Sequence, residues 1–328
     1  MTSTPPWRSS VSTGNTLAIT IVSAAALATV AIYTLQLTPL GVVLMMLGAM
    51  LWINFPIHGA MITLALLARS GRIPRAWAIA PVSFYGAGLA LFACSYVFAE
   101  IHKADVIARN ARVRVPVLQP VTIYGGYQQL LRFYDVERIV QNASSDPRSA
   151  ERDVRWLIQG RVCEGQTGFY YEHRFTPHVL NRIYDRSNPE AQPLCIAQQS
   201  IISRHPYPWP GYVLEAQREP SRGAPLINYQ ETTTTILPVG AATATPAAIT
   251  DGFASITAPV PLFYAGCALD SSTPAWRCAA GLLKPFNVFY YAGSGRRSGH
   301  ALYGADREIA RILALRPRTT ARQTLAPP

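Results

Sequence analysis

Four cysteines in the later two-thirds of the chain, Cys163, Cys195, Cys267 and Cys278, are the residues best suited to covalent chemistry. In a domain that faces an oxidising compartment, an even number of thiols suits two disulfides, for which three pairings exist. Proximity along the chain favours Cys163–Cys195 and Cys267–Cys278. A structural zinc site would need a pair two to four residues apart, and no pair here has that spacing. His173 and His178, with Asp185, lie on separate segments without a ligand pattern. No catalytic residue, metal site or cofactor site is expected from these residues.

Two loops could bind rather than react. His205-Pro-Tyr207-Pro-Trp209-Pro-Gly-Tyr212 holds three aromatics between prolines. The prolines lower the entropy cost of presenting Tyr207, Trp209 and Tyr212, which could stack on a sugar or a partner or cap the domain core. Gly293-Ser-Gly-Arg296-Arg297-Ser-Gly-His300 is glycine-rich and basic. Backbone N–H groups, Arg296, Arg297 and His300 could hold an anion there. It has neither the Walker spacing nor the GxGxxG order, so an exposed turn is the alternative.

A third constellation lies in an uncharged stretch. Asn54 and His58 share one helix face at i and i+4, with Pro56 interrupting the hydrogen-bond ladder between them. Polar side chains in such surroundings either sense a proton or ligand, or satisfy loosened carbonyls and tie helices together. Gly86, Ala90 and Cys94 form a small-residue stripe that permits close helix contact.

The elements that must carry these residues fall into two classes. No Asp or Glu occurs before Glu100, and that stretch has only Arg8, Arg69, Arg72 and Arg75. Residues 16–37, 40–68 and 76–99 are uncharged runs. At about 1.5 Å per residue the first reaches about 33 Å, enough for a hydrocarbon core of about 30 Å. In lipid only a helix satisfies such a backbone, so three transmembrane helices are predicted in a membrane domain over 1–99. The first run is too long for an ordinary signal peptide.

The three arginines between residues 69 and 75 place that loop and the N-terminus in the cytoplasm. The C-terminal domain then faces outward, which agrees with the cysteine usage. Arginine outnumbers lysine 27 to 2 and alanine is abundant, which suggests a bacterial inner membrane with a periplasmic domain.

Residues 100–328 are predicted as an α+β domain on a helical stalk that continues the third span to residue 115. Helices are expected over Gly126–Asn142, after Asp146-Pro147, after Thr176-Pro177 and over Gly304–Arg316, where Ala305, Ile309, Ile312 and Leu313 share a face. Strands are expected at Thr122–Tyr124, Arg161–Cys163, Gly168–Tyr171, Leu194–Ser203, Ile227–Leu237 and Phe286–Tyr291. The small-residue stretch 239–259 reads as a linker or loop, separating an outward domain over 100–238 from a C-terminal part over 260–328. Residues 296–328 carry seven arginines and two acids, so most of the excess charge belongs to one end.

The sequence therefore predicts a non-enzymatic, multi-pass inner-membrane protein, a component or regulator of an envelope assembly. Its partners would be the lipid bilayer and a protein in the membrane or periplasm, with nucleic acid only if the topology were inverted. The alternatives are a periplasmic enzyme acting on an anionic or carbohydrate substrate, and a membrane-bound immunity or sensor protein working through His58.

Overall fold

The computed structural model describes residues 7–36, 51–143, 149–160, 163, 175–183, 194–240, 245–269, 276–291 and 304–318. Helices α1 (Trp7–Gln36), α2 (Asn54–Arg69) and α3 (Ile79–Arg112) come first. Next are β1 (Thr122–Tyr124), the short α4 (Gln128–Phe133), β2 (Arg138–Asn142) and β3 (Glu151–Gln159). Strands β4 (His178–Ile183), β5 (Leu194–Ile202), β6 (Gly211–Arg218) and β7 (Arg222–Gly223) follow. Then come β8 (Ile227–Val239), β9 (Ala247–Ile256), β10 (Phe263–Leu269), β11 (Trp276–Leu282), β12 (Phe286–Phe289) and α5 (Gly304–Ile312).

The chain divides into two units. The helical unit takes Met1–Ile101, Arg222–Tyr229 and Ala254–Val288, and the sheet unit takes His102–Ser221, Gln230–Phe253 and Phe289–Pro328.

In the helical unit, α1 stays apolar outside because its hydroxyls turn inward on its own backbone. Thr20, Thr29 and Thr34 donate to the carbonyls of Thr16, Ala25 and Val30, four residues back, which satisfies each polar group without water. One end of α1 packs on the turn between α2 and α3. Ala18, Leu64, Ala68 and Ile73 form that small core, and Trp77 Nε1 donates to Asn15 Oδ1 at 3.0 Å.

Among the described residues, two helical segments are long and apolar enough to cross a membrane, Thr13–Gln36 and Arg75–Arg112. This corrects the expectation of three spans. Helix α2 has 16 residues, about 24 Å, which falls short of the hydrocarbon core. Residues 40–50 of the expected second span lie outside the described residues.

The sheet runs in the order β12-β9-β8-β6-β1-β2-β3-β5-β4, with β7 paired to β8, and β10 and β11 form a separate two-stranded hairpin. Its pairing is mixed: β1 is parallel to both β2 and β6, while β3, β4 and β5 pair antiparallel. The core of the sheet unit is built from Ile123, Leu130, Leu131, Ile139, Ile236, Ile249, Ile309 and Leu313. Burying each such side chain contributes about 1.5–3 kcal/mol. Helix α5 presents Ile309, Ile312 and Leu313 to that core, the face its periodicity predicts, and ends where Ala314 turns to φ +52°.

Of three other expected helices, one is helical only in part and two are strands. Within Gly126–Asn142 only α4 is helical, and β2 follows it. The stretch after Asp146-Pro147 is β3, and the one after Thr176-Pro177 is β4. Short apolar windows fit both periods; here nine consecutive pairs with β5, from Glu151↔Ile202 to Gln159↔Leu194, decide for the strand. The stretch 239–259 likewise holds β9, whose Ile249 and Ile256 are buried. Gly168–Tyr171 lies outside the described residues.

Candidate functional site

Strand β1 lies between two parallel partners, with Tyr124 level with Val140 on β2 and with Val213 on β6. All three strands therefore run out toward the same edge. On one side of β1 the chain returns through α4 to β2, and on the other side the neighbour is the distant β6. Such a divergence leaves a crevice at the carboxyl ends of the strands, where open sheets commonly bind ligands.

A cleft of about 530 Å³ opens there, lined by Tyr124, Gly125, Gly126, Gln141, Asn142, Arg152, Tyr207 and Glu215 among others. Glycine is required at its floor. Gly125 has φ +143°, and a Cβ on it would stand 2.8 Å from Leu214 O, so only the smallest residue lets β1 leave the sheet this close to β6. Gln141 Nε2 donates to Gly125 O at 3.2 Å, which fixes the amide at the mouth.

Tyr124 organises the wall. Its hydroxyl donates to Trp209 O at 2.7 Å and accepts from Trp209 N at 2.8 Å. Burial raises the phenol pKa, with the bond donated by Trp209 N–H opposing the shift, so the hydroxyl keeps its proton at neutral pH. Arg152 is buried, and its Nη1 donates to the carbonyls of Ser149 and Glu151. A guanidinium, a carboxylate (Glu215), two amides and an open phenol thus share one cleft. That set can orient a small polar ligand through several hydrogen bonds at once.

The proline-rich loop divides into one open and two occupied aromatics. Tyr207 is 38% exposed and stands edge-on to Tyr124 at 5.1 Å, lining the cleft. Trp209 lies under the Arg138 guanidinium, 4.6 Å from its ring centre. Tyr212 is fully buried; its hydroxyl donates to Pro116 O and accepts from Leu118 N, so it pins the 116–118 segment. Arg296, Arg297 and His300 lie outside the described residues.

Cys163 and Cys195 are joined, with Cα atoms 5.6 Å apart, and pack with Val179 and Ile158. The β10–β11 register sets Cys267 opposite Cys278; their side chains lie outside the described residues. Cys94 is a free, exposed thiol. Among the described residues no three His, Cys, Asp or Glu side chains cluster as metal ligands would.

Asn54 and His58 come together on a stretch of chain 200 residues away. Asn54 Nδ2 donates to Leu51 O and to Phe263 O, while its Oδ1 accepts from Phe263 N at 2.8 Å. His58 Nε2 is 3.0 Å from Pro261 O, and Nδ1 is 3.1 Å from Tyr85 Oη. A carbonyl only accepts, so Nε2 carries the proton, and in the neutral ring Nδ1 accepts from Tyr85. Sequence reasoning missed Tyr85, Ser95 and Gly88 as partners. In the small-residue stripe, Gly86 meets nothing within 4 Å, whereas a Cβ on Gly88 would stand 2.4 Å from the Pro261 ring.

A comparison of the chain with protein-family models, with curated proteins and with solved structures finds no match.

Proposed function

We propose that this is a membrane-anchored recognition protein of a bacterial envelope, acting by binding, with its C-terminal domain in the periplasm and its N-terminus in the cytoplasm. The observation that carries this reading is the Cys163–Cys195 disulfide in the same unit as the cleft. Disulfides persist in oxidising compartments, and the helices at the other end of the chain are apolar enough for a bilayer. The register of Cys267 and Cys278 supports a second disulfide.

Recognition is assigned to the cleft at the ends of β1, β2 and β6. Its ligand is a polar part of another envelope component, oriented by Arg152, Glu215 and the Gln141 amide, with Tyr207 as the exposed contact. A photo-crosslinking residue in place of Tyr207, used in intact cells, should trap a specific adduct. The adduct should be lost when Arg152→Gln and Glu215→Gln are added. The same adduct from a probe at the exposed Ile202, or no adduct at all, would defeat the assignment.

A further inference from the structure

Three polar side chains of α2 and α3 converge on the stretch Thr257–Phe263, irregular up to the start of β10. Ser95 Oγ is 3.1 Å from Thr257 Oγ1, His58 holds Pro261 O, and Asn54 holds both backbone groups of Phe263. The Pro261 ring lies directly on the α3 backbone at Gly88.

The depth of this stretch follows from helix rise. Ser95, Phe92 and Gly88 stand five, eight and twelve residues before Glu100, the first charge after the run Ala76–Ala99. At about 1.5 Å per residue they lie about 7, 12 and 18 Å from that charge. A hydrocarbon core is about 30 Å thick, so Pro261 reaches beyond its middle if α3 spans it. The chain comes back on the same side: Phe286 packs edge-on to Phe92 at 6.2 Å.

Non-helical backbone survives at such depth where its polar groups are satisfied inside the protein, and three successive carbonyls of this stretch are. The carbonyl of Pro261 takes the His58 donor, that of Leu262 accepts from Leu283 N at 2.7 Å, and that of Phe263 takes Asn54 Nδ2. Pro259 and Pro261 bring no N–H at all. The outward side of the stretch is apolar, with Val260 43% exposed.

Resting on the reading that α1 and α3 lie in a bilayer, we propose that Thr257–Phe263 is a re-entrant segment whose outer face is covered by lipid acyl chains. Asn54, His58 and Ser95 are in the helices to hold it there, and lipid is the partner of the face around Val260.

The test uses the full chain with Cys94→Ala, purified and reconstituted in phosphatidylcholine vesicles. A nitroxide is attached at Val260→Cys, at Leu27→Cys on α1 (72% exposed) or at Gln217→Cys on β6, with the chain lacking an introduced cysteine as the labelling blank. Collision with dissolved oxygen and with a water-soluble nickel chelate is then read by paramagnetic resonance. Val260 should match Leu27, with frequent oxygen and rare nickel collisions. If Leu27 behaves so but Val260 collides with nickel as Gln217 does, the re-entrant segment is overturned and the membrane reading stands. Rare collisions with both reagents at Val260 would put protein, not lipid, over it and overturn the proposal equally. Nickel collisions at Leu27 would overturn both.

Discussion

The two units treat apolar surface in opposite ways. In the helical unit, Leu27, Val82 and Leu89 are largely exposed, and the polar groups among them (Thr20, Thr29 and Thr34 of α1, Asn54, His58) are each bonded to backbone within the unit. In the sheet unit, Ile123, Ile139 and Ile236 are fully buried, and phenol hydroxyls clasp loops that would otherwise face water. Water selects the second arrangement, since apolar burial is its main stabilising term. The first has no such reward in water and is economical in lipid, where internal satisfaction of polar groups is the binding constraint. One chain thus carries the marks of two solvents.

The contrast is broken most sharply by truncating one apolar side chain in each unit. Ile139→Ala removes a fully buried side chain between β1 and β3 and should cost about 2–5 kcal/mol of the sheet unit's unfolding free energy, read by denaturant titration in detergent. Leu27→Ala should leave that midpoint unchanged. Equal effects from both would mean that Leu27 is buried in the working protein and that the two units share one solvent.

A smaller effect should appear with pH. Burial raises the pKa of Tyr124, Tyr127, Tyr134, Tyr212 and Tyr291, all in the sheet unit. Each folded phenol holds its proton more tightly than an unfolded one, whose pKa is about 10. Their stabilisation is complete below that value and is lost as pH rises through the raised folded values. The denaturant midpoint should fall as pH rises above about 10 while tyrosinate absorbance lags behind that of free tyrosine, and Tyr212→Phe should weaken the dependence. A flat midpoint with ordinary phenol titration would show these hydroxyls to be solvated.

Much of the helical unit was legible because lack of charge is a one-dimensional signal. The runs at 16–37 and 76–99 need no partner to be recognised, and Asn54 and His58 stand out against their neighbours. Their bonding partners were not legible: Pro261 and Phe263 lie 200 residues on, past the small-residue stretch that hides β9. Helix α5 shows clear periodicity, β5 and β8 carry the residue types that strands favour, and the cysteine count with proximity along the chain pointed to Cys163–Cys195. Strands β2, β3 and β4 did not declare themselves, because Val154, Leu157 and Ile158 fit a helix face as well as a strand until β5 is beside them. The cleft was hidden for the same reason, since its walls come from residues near 124, 141, 152 and 214 that meet only through the parallel pairing of β1. Within the loop at 205–212 composition marked three aromatics alike, and only packing separates the open Tyr207 from the buried Tyr212.

The most direct measurement is the redox state of Cys163 and Cys195 in intact cells. Cells are quenched in acid, free thiols are blocked, and cysteines released by reduction are then given a mass tag and mapped by peptide. The expected result is that Cys163 and Cys195 are tagged only after reduction, in nearly every molecule, as a domain in an oxidising compartment requires. Blocking of both as free thiols at the first step would place the sheet unit in a reducing compartment and contradict the outward topology.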